Sequence, residues 1–441
     1  MILTKDENKM ICENISRTDD GILTFAGVPL PGLAAKYSTP LYLYDEARIR
    51  ERCRTYLDAV KEAFGTSARV LYASKAASFK RLYEIMREEG MGIDVVSRGE
   101  IYAARRADYP LELAYFHSNN KTDEDIEYAI ENGVGHFVVD NEEELFAIER
   151  IASARGCVQK ILLRITPGID PHTYAAVATG KVDSKFGSAI ETGQAEAITA
   201  LALTLPHISL SGYHCHVGSQ IFDADVYLAT SKVMLNFVAR IKSSLGFMAK
   251  KLDIGGGLGV RYVKEQPSID IKETILSVAR AMKEQAKELG IELPEIALEP
   301  GRSIVADAGL TVYTVGTVKR IPGYKSYVSV DGGMTDNPRF ALYGSPYTIL
   351  PVSREVGDEV MTASVVGRCC ESGDILQENV PMPSDISRGE LIACLTTGAY
   401  HYSMASNYNK IPRPPIVMLN EGKDYVAVRR ETVEDLLALD V

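Results

Sequence analysis

Between residues 69 and 300 the sequence alternates short β-branched, apolar runs with longer segments of helical period, and this alternation constrains the fold most. The eight strand-like runs are RVLYAS (69–74), GIDVVS (92–97), LAYFHS (113–118), GHFVVD (135–140), KILLRI (160–165), ISLSGYHCH (208–216), KLDIGG (251–256) and EIALEP (295–300). The candidate helices between them include 79–89, 98–107, 122–132, 141–154, 224–245 and 270–289. Eight strand–helix repeats predict a closed (β/α)8 barrel.

An open, doubly wound parallel sheet is the alternative to a closed barrel. Such a sheet would need a nucleotide-binding fingerprint at its first strand–helix turn. That turn reads ASKAAS (73–78) and has no glycine, so the sequence favours the barrel.

Strand-like segments dominate the two ends of the chain. GILTFAGVPL and PLYLYDE lie near the start, and TVYTVGTV, SYVSVDGG, VMTASVVG, LIACLTTG and PIVMLN follow residue 310. No long helix is expected in the second region before the acidic tail ETVEDLLALD. The sequence therefore predicts an α/β plus all-β protein, in which a TIM-like (β/α)8 barrel (46–310) is inserted into a β domain formed by both chain ends (1–45 and 311–441).

Composition and charge limit the class of partner. The 441 residues include 48 basic and 59 acidic side chains, and the net charge of −11 argues against nucleic-acid binding. No apolar run approaches the roughly 20 residues of a membrane helix, and the start, MILTKDENKM, does not resemble a signal peptide, so we expect a cytoplasmic protein. Seven scattered cysteines predict reduced thiols.

Polar residues gather where the predicted strands end. The active site of a (β/α)8 barrel lies at the C-terminal mouths of its strands, so these residues are the first candidates for a site. They are Lys75, Asp94 with Ser97, His117 with Asn119, Asp140, Arg164, His216 with Ser219, the run Gly255, Gly256 and Gly257, and Glu299 with Arg302.

Each of these features has a plain structural alternative. Lys75 follows an apolar strand, where a buried or half-buried amine can form a Schiff base, but it can equally be a solvated loop lysine. The run of three glycines suits a phosphate dianion or a simple tight turn. Glu299 can hold a pyridine nitrogen protonated or form a surface ion pair.

Two further features are predicted to be structural. His214 and His216 share one face of a strand, but no third ligand has usable spacing, so we expect no metal there. The acidic run 142–144 indicates a helix N-terminus with a solvated face.

Ten motifs follow one another along nearly the whole chain. They are YASKA (72–76), GIDVVSRGE (92–100), FHSNNKT (116–122), DSKFG (183–187), HCHVGSQ (214–220), DIGGGLG (253–259), EPGRS (299–303), VDGGMTDNPRFALY (330–343), CESGD (370–374) and TGAYHYSMASNYN (397–409). In this order they resemble the fold-type III decarboxylases that depend on pyridoxal 5'-phosphate, a family that includes diaminopimelate, ornithine and arginine decarboxylases.

The resemblance implies a pyridoxal phosphate site on the barrel. Lys75 would form a Schiff base with the cofactor, His216 would stack on its ring, Glu299 would face the ring nitrogen, and Asp94 would lie near the lysine. The remaining cofactor contacts implied by the family are Ser219, Gly255, Gly256, Gly257, Gly301, Arg302 and Tyr400.

The resemblance also implies a homodimer with shared active sites. Cys370 and Glu371 would enter the site of the neighbouring subunit, and Lys185 would pair with Asp374 across the interface. Either Cys370 or the released Lys75 would return a proton to the product, and the sequence leaves this choice open.

The expected reaction is the decarboxylation of meso-2,6-diaminopimelate to L-lysine and CO2. This substrate carries a distal carboxylate and ammonium, for which the implied residues are Arg302, Arg339, Tyr343, Glu371 and Tyr400. Ornithine has no distal carboxylate, so a decarboxylase for ornithine would not need Arg339. Tyr174 and Phe340 depart from the family pattern, so another basic amino acid or a carboxylated polyamine is an alternative substrate, and a non-catalytic regulatory homologue is a further alternative.

Overall fold

The computed structural model describes residues 11–170 and 180–441. The chain divides into two compact units. One comprises Arg52–Gly259 with Ser268–Ser303, and the other comprises the residues through Glu51 with Val260–Pro267 and Ile304–Val441. Tyr174, one of the departures from the family pattern, lies outside the described residues.

The first unit is a closed barrel of eight parallel strands. The strands are β1 (Arg69–Ala73), β2 (Gly92–Val95), β3 (Ala114–Phe116), β4 (His136–Val139), β5 (Gln159–Thr166), β6 (Ile208–His214), β7 (Lys251–Asp253) and β8 (Glu295–Leu298). Each strand pairs with the next, and β8 pairs with β1 to close the ring. A two-residue strand, Ser188–Ala189, adds to β5. The predicted barrel is confirmed: seven of the eight predicted runs contain a whole strand, and β5 extends one residue beyond the run KILLRI (160–165) at each end.

Helices precede, connect and follow the barrel strands. They are Glu46–Phe64, Lys80–Glu89, Arg98–Arg106, Asp123–Glu131, Glu142–Ala154, Gln194–Ala202, Ala224–Leu245, Ile271–Glu288 and the short Arg302–Val305, with single 3-10 turns at Ser74–Ala76 and Leu111–Leu113. Ser97, Asn141 and Asp270 each cap a helix by accepting a backbone N–H from the residue three positions later. Thr122 and Asp125 form a reciprocal capping box. These caps explain why the helices begin within one residue of the predicted starts.

The second unit is mainly β structure. Its strands are Ile15–Arg17, Leu23–Phe25, Val28–Pro29, Leu41–Asp45, Gly309–Ile321, Lys325–Val330, Ile349–Pro351, Val360–Val366, Ile375–Pro383, Leu391–Cys394, Ile416–Asn420 and Lys423–Val428. In the described part of this unit, the helices include Leu30–Tyr37 and Arg339–Tyr343, and the 3-10 turns include Tyr402–Met404, Tyr408–Lys410 and Asp435–Leu437.

Both chain ends contribute to one sheet of this unit. Leu41–Asp45 lies between Gly309–Ile321, which runs antiparallel to it, and Ile416–Asn420, which runs parallel. The prediction that the barrel interrupts a β domain is therefore confirmed. The predicted helix in the acidic tail is wrong, because the structure forms a single 3-10 turn at Asp435–Leu437, where no residue is buried to stabilise a longer helix.

Each unit has its own apolar core. In the barrel, side chains from five strands meet in the interior, and they are Leu71, Tyr115, Val138, Leu162 and Ala297. In the β unit, strands from both chain ends supply the core, which includes Phe25, Leu43, Val312 and Val417. No helix in the described part of the chain is both long enough and apolar enough to cross a membrane. The seven cysteines, all within the described residues, are free thiols.

Candidate active site

The end of β8 places Glu299 in a buried cluster with two histidines. Glu299 Oε1 lies 2.6 Å from His117 Nε2, and Glu299 Oε2 lies 3.0 Å from His214 Nε2. Burial alone would raise the pKa of Glu299, but the two imidazoles outweigh this effect and hold that pKa well below its usual range. Glu299 is therefore a buried carboxylate with both oxygens held by neighbours.

The surroundings of His214 favour a neutral imidazole, and because a carboxylate can only accept, its Nε2 is the donor to Glu299. Burial lowers the pKa of His214, and its Nδ1 has no hydrogen-bond partner among the described residues. The sequence offered no third metal ligand near His214, and this premise is wrong, because ligand atoms of His117, His214 and Glu299 lie within 4.8 Å of one another. Hydrogen bonds between these atoms account for the cluster, and the absence of a metal stays a prediction.

Lys75 and Asp94 come from neighbouring strands at the same end of the barrel. Lys75 lies in the turn Ser74–Ala76 directly after β1, and its side chain is exposed rather than half-buried. Asp94 pairs with Ala73 in the register of β1 and β2, and both of its carboxyl oxygens are buried without a hydrogen-bond partner in the described residues. Burial raises the pKa of Asp94 to about 6, although the positive charges of His117 and Lys75 oppose the rise.

The three glycines after β7 have local structural reasons to be glycine. Gly255 and Gly257 have φ values of +71° and +107°, and a Cβ on Gly256 would lie 2.1 Å from the carbonyl oxygen of Glu299. The N–H of Gly255 donates to Asp253, and the N–H of Gly256 points to His216 Nδ1 at 3.4 Å. The turn therefore packs directly against the two residues expected at the cofactor ring.

The surroundings of His216 favour a neutral imidazole. Its pKa lies well below the usual value because of burial, with a further lowering from the positive charges of Lys75 and Arg164. A neutral, flat ring suits stacking on an aromatic cofactor.

Arg302 and Ser219 join two further loops at this end of the barrel. The guanidinium of Arg302 donates to Ser219 Oγ from Nε at 3.2 Å and from Nη2 at 3.0 Å. A Cβ on Gly301 would lie 2.8 Å from the Cβ of Ala73, so only glycine allows the loop after β8 to approach β1 this closely.

The β unit holds a buried arginine in an aromatic setting. Arg339 is 5% exposed, and its guanidinium carbon lies 5.3 Å from the ring centre of Tyr343 and 5.2 Å from that of Tyr400. Its Nε has no hydrogen-bond partner among the residues that the structure describes, and its Nη2 lies 3.5 Å from Ser345 Oγ. Within residues 11–170 and 180–441 it forms no ion pair with an acidic side chain, and the adjacent Phe340 is half-buried.

The segment with Cys370 and Glu371 is exposed, and hydrogen bonds from its backbone fix its position. The N–H of Cys370 donates to Asn409 Oδ1 at 2.8 Å, while the buried Asp374 accepts N–H groups of Met334 at 2.6 Å and Cys369 at 2.7 Å. The Asp374 carboxylate therefore links the backbone at Met334 to the backbone at Cys369 within one chain. The expected partner of Asp374 in a second subunit, Lys185, is exposed, and its ammonium lies 4.8 Å from the ring centre of Phe186.

Among the described residues of the barrel unit, two buried acidic groups were not predicted from the sequence. Asp253 is fully buried at the end of β7, and Glu144 is buried in an ion pair with Lys121. The prediction that 142–144 is only a solvated face is therefore wrong for Glu144, because the loop after β3 carries Lys121 over it. The spacing of FHSNNKT and of the acidic run held no signal for this contact, whereas alternation along β7 could have placed Asp253 inside the barrel.

Comparison with known proteins identifies the family of this chain. The family described as "Pyridoxal-dependent decarboxylase, pyridoxal binding domain" matches residues 46–306. The chain belongs to this family. The diaminopimelate decarboxylase of Bacillus subtilis is 44% identical to this enzyme over 421 residues, which cover 96% of this chain and 95% of that protein. That of Corynebacterium efficiens is 41% identical over 432 residues, covering 97% and 93%.

Solved structures agree with the fold of this decarboxylase. The diaminopimelate decarboxylase of M. jannaschii in complex with L-lysine matches with a TM-score of 0.91 and 31% identity over 98% of both chains. A lysine/ornithine decarboxylase from Vibrio vulnificus matches with a TM-score of 0.74 at 24% identity, covering 89% of this chain and 97% of that chain, and shows the fold alone.

The barrel residues of this decarboxylase fit its cofactor, pyridoxal phosphate. Asp94 offers two buried oxygens with no hydrogen-bond partner in the described part of the chain, on the strand next to the one that Lys75 follows. His216 offers a neutral ring, and Glu299 offers a buried negative charge suited to a protonated pyridine nitrogen. This donor set combines a primary amine, a flat ring and a fixed anion, as the cofactor requires.

Proposed function

We propose that the enzyme decarboxylates meso-2,6-diaminopimelate to L-lysine and CO2. The observation that carries the proposal is Arg339, a buried guanidinium with no acidic partner in the described residues. An unpaired buried cation is costly unless it meets an anion in the working protein. The distal carboxylate of diaminopimelate supplies such an anion, and the fork of an arginine suits its two oxygens.

The alternative substrates lack this match. Ornithine and lysine have no distal carboxylate, so their binding would leave the Arg339 charge unpaired. The relatives at 44% and 41% identity are diaminopimelate decarboxylases, which supports the same choice. Tyr343, Tyr400, Arg302 and Glu371 are proposed to complete the substrate contacts.

The barrel residues are proposed to prepare the chemistry. Pyridoxal phosphate, when bound, supplies the electron sink that accepts the electron pair left when CO2 departs. Lys75 would hold the cofactor covalently, and Gly301 would also contact it. The phosphate contacts would come from Ser219, Gly255, Gly256, Gly257, the backbone of Arg302, and Tyr400. Glu299 would hold a proton at the ring nitrogen, because each carboxylate oxygen keeps a second lone pair beside its histidine contact.

We also propose a homodimer in which Cys370 and Glu371 act in the neighbouring subunit. Both residues are exposed, which supports this assignment, because a side chain that acts in the active site of a partner must be accessible on the surface of its own subunit. Lys185 and Asp374 are proposed to pair across the same interface, and Cys370 or Lys75 to return the proton. A cytoplasmic location stays a prediction.

Release of CO2 from purified enzyme tests the substrate. Meso-diaminopimelate, ornithine, lysine, arginine and a carboxylated polyamine are compared at equal concentrations, with Lys75→Ala as the inactive control. We expect the highest kcat/KM with meso-diaminopimelate and L-lysine as its product. A higher kcat/KM with any of the other four substrates would overturn the proposal.

A further inference from the structure

Asp253 is a buried carboxyl group with an unusual set of neighbours. It ends β7 inside the barrel and is fully buried. Its Oδ1 accepts the N–H of Gly255 at 2.8 Å, whereas its Oδ2 is buried and meets no N–H or O–H donor among the described residues. An anionic oxygen in that position would lose its hydration without compensation.

The strand register brings Asp253 to Glu299. Asp253 is paired with Ala297, and Glu299, two residues after Ala297 and directly beyond the end of β8, continues the same face of the sheet. The N–H of Glu299 also donates to the carbonyl oxygen of Gly255 at 2.9 Å, so the backbone holds Glu299 beside the turn that follows Asp253. Two carboxyl groups can share a hydrogen bond only if one of them carries a proton, because an ionised carboxylate has no donor.

The contacts decide which group carries the proton. Glu299 accepts from two imidazole nitrogens, at 2.6 and 3.0 Å, and these contacts stabilise its negative charge. Within the described residues, Asp253 accepts only the backbone N–H of Gly255. Burial and then the charge of Glu299 raise the pKa of Asp253 well above its usual range, against the opposing effect of the Gly255 N–H.

The other ionisable groups around Asp253 do not favour a second negative charge. His214 faces it directly across the strand pair, and its imidazole is neutral. Asp94 adds negative charge nearby, and Tyr115 and Cys215 supply no cation. The anion of this cluster is therefore Glu299.

We propose that Asp253 is a neutral carboxylic acid that donates a hydrogen bond from Oδ2 to the Glu299 carboxylate. It is a positioning residue: one oxygen holds the glycine turn through Gly255, and the other holds Glu299. This inference rests on the proposed placement of Glu299 at the ring nitrogen, and it adds a third donor to the two histidines. The glycine turn and the anion are thereby fixed relative to each other by one side chain.

Infrared difference spectroscopy of the holoenzyme tests the proton directly. The spectrum of the wild type minus that of Asp253→Asn should show the loss of one protonated-carboxyl C=O band, which shifts in D2O. Asp140→Asn is the matched control, because Asp140 also follows a barrel strand and accepts one glycine N–H, at 3.0 Å, but faces Arg164 and Lys121. The control should lose carboxylate bands alone. Loss of carboxylate bands alone in Asp253→Asn would overturn the proposal.

Cofactor affinity provides a second test that needs no substrate. An asparagine can accept from Gly255 and donate to Glu299, so Asp253→Asn should weaken pyridoxal phosphate binding by less than about threefold, whereas Asp253→Val should weaken it about 10- to 100-fold. Equal losses in the two variants would contradict the proposal. Because both readouts are taken without substrate, they fail or succeed independently of the assignment to diaminopimelate.

Discussion

Two buried cations, one in each unit, are treated in opposite ways. Lys121 in the barrel unit donates to Glu144 Oε1 at 2.7 Å and to the carbonyl oxygens of Val138 and Ser118 at 2.8 and 3.2 Å. Arg339 in the β unit lies against aromatic rings, and no acidic side chain of the described residues pairs with it. A paired cation serves the fold, whereas an unpaired one costs stability and indicates a ligand.

The largest expected change in stability comes from removing the paired cation, Lys121. Lys121→Met leaves Glu144 buried without its counter-charge, so the free energy of unfolding should fall by about 3–5 kcal/mol. Urea unfolding followed by circular dichroism measures the change. Lys272→Met is the matched control, because Lys272 pairs with Glu62 on the exposed surface, and it should leave the unfolding midpoint unchanged. Equal midpoints for the two variants would contradict the assignment of Lys121.

A smaller effect is expected from Asp94, an unpaired buried acid. Its pKa rises from 3.8 to about 6 on folding, so the folded protein binds this proton more tightly than the unfolded chain does. The resulting stability is complete below pH ~4 and is lost as the pH rises through ~6. In cofactor-free protein, the stability of the wild type relative to Asp94→Asn should fall by about 2 kcal/mol across that range. A difference that stays constant or grows with pH would refute this.

The smallest change in stability is expected from removing Arg339, the cation without an acidic partner in the described residues. Arg339→Met removes a buried charge that has no acidic partner in the described residues, so without substrate the free energy of unfolding should stay the same or rise by up to about 1 kcal/mol. Urea unfolding in the absence of ligand measures it. A loss comparable to that of Lys121→Met would mean that Arg339 serves the fold.

The sequence predicted the barrel because its strands and helices repeat with clear periods and strong caps. It predicted the residues at the strand ends for the same reason, since the fold rule places them at one mouth. It did not predict the contacts of Glu144 and Asp253, because each depends on which loop or neighbouring strand covers the carboxyl group. Nor did it predict that Asp374 would accept two N–H groups of its own chain, because that contact depends on how separate turns meet.

The central claim is that Arg339 is kept unpaired for the distal carboxylate of the substrate. The direct measurement is kcat/KM for meso-diaminopimelate and for L-lysine, which lacks that carboxylate, in the wild type and in Arg339→Met. We predict a fall of about 100-fold or more with diaminopimelate and less than about tenfold with lysine, with Arg339→Lys in between because it keeps the charge but not the fork. An equal fall with both substrates, or no fall with diaminopimelate, would contradict the account.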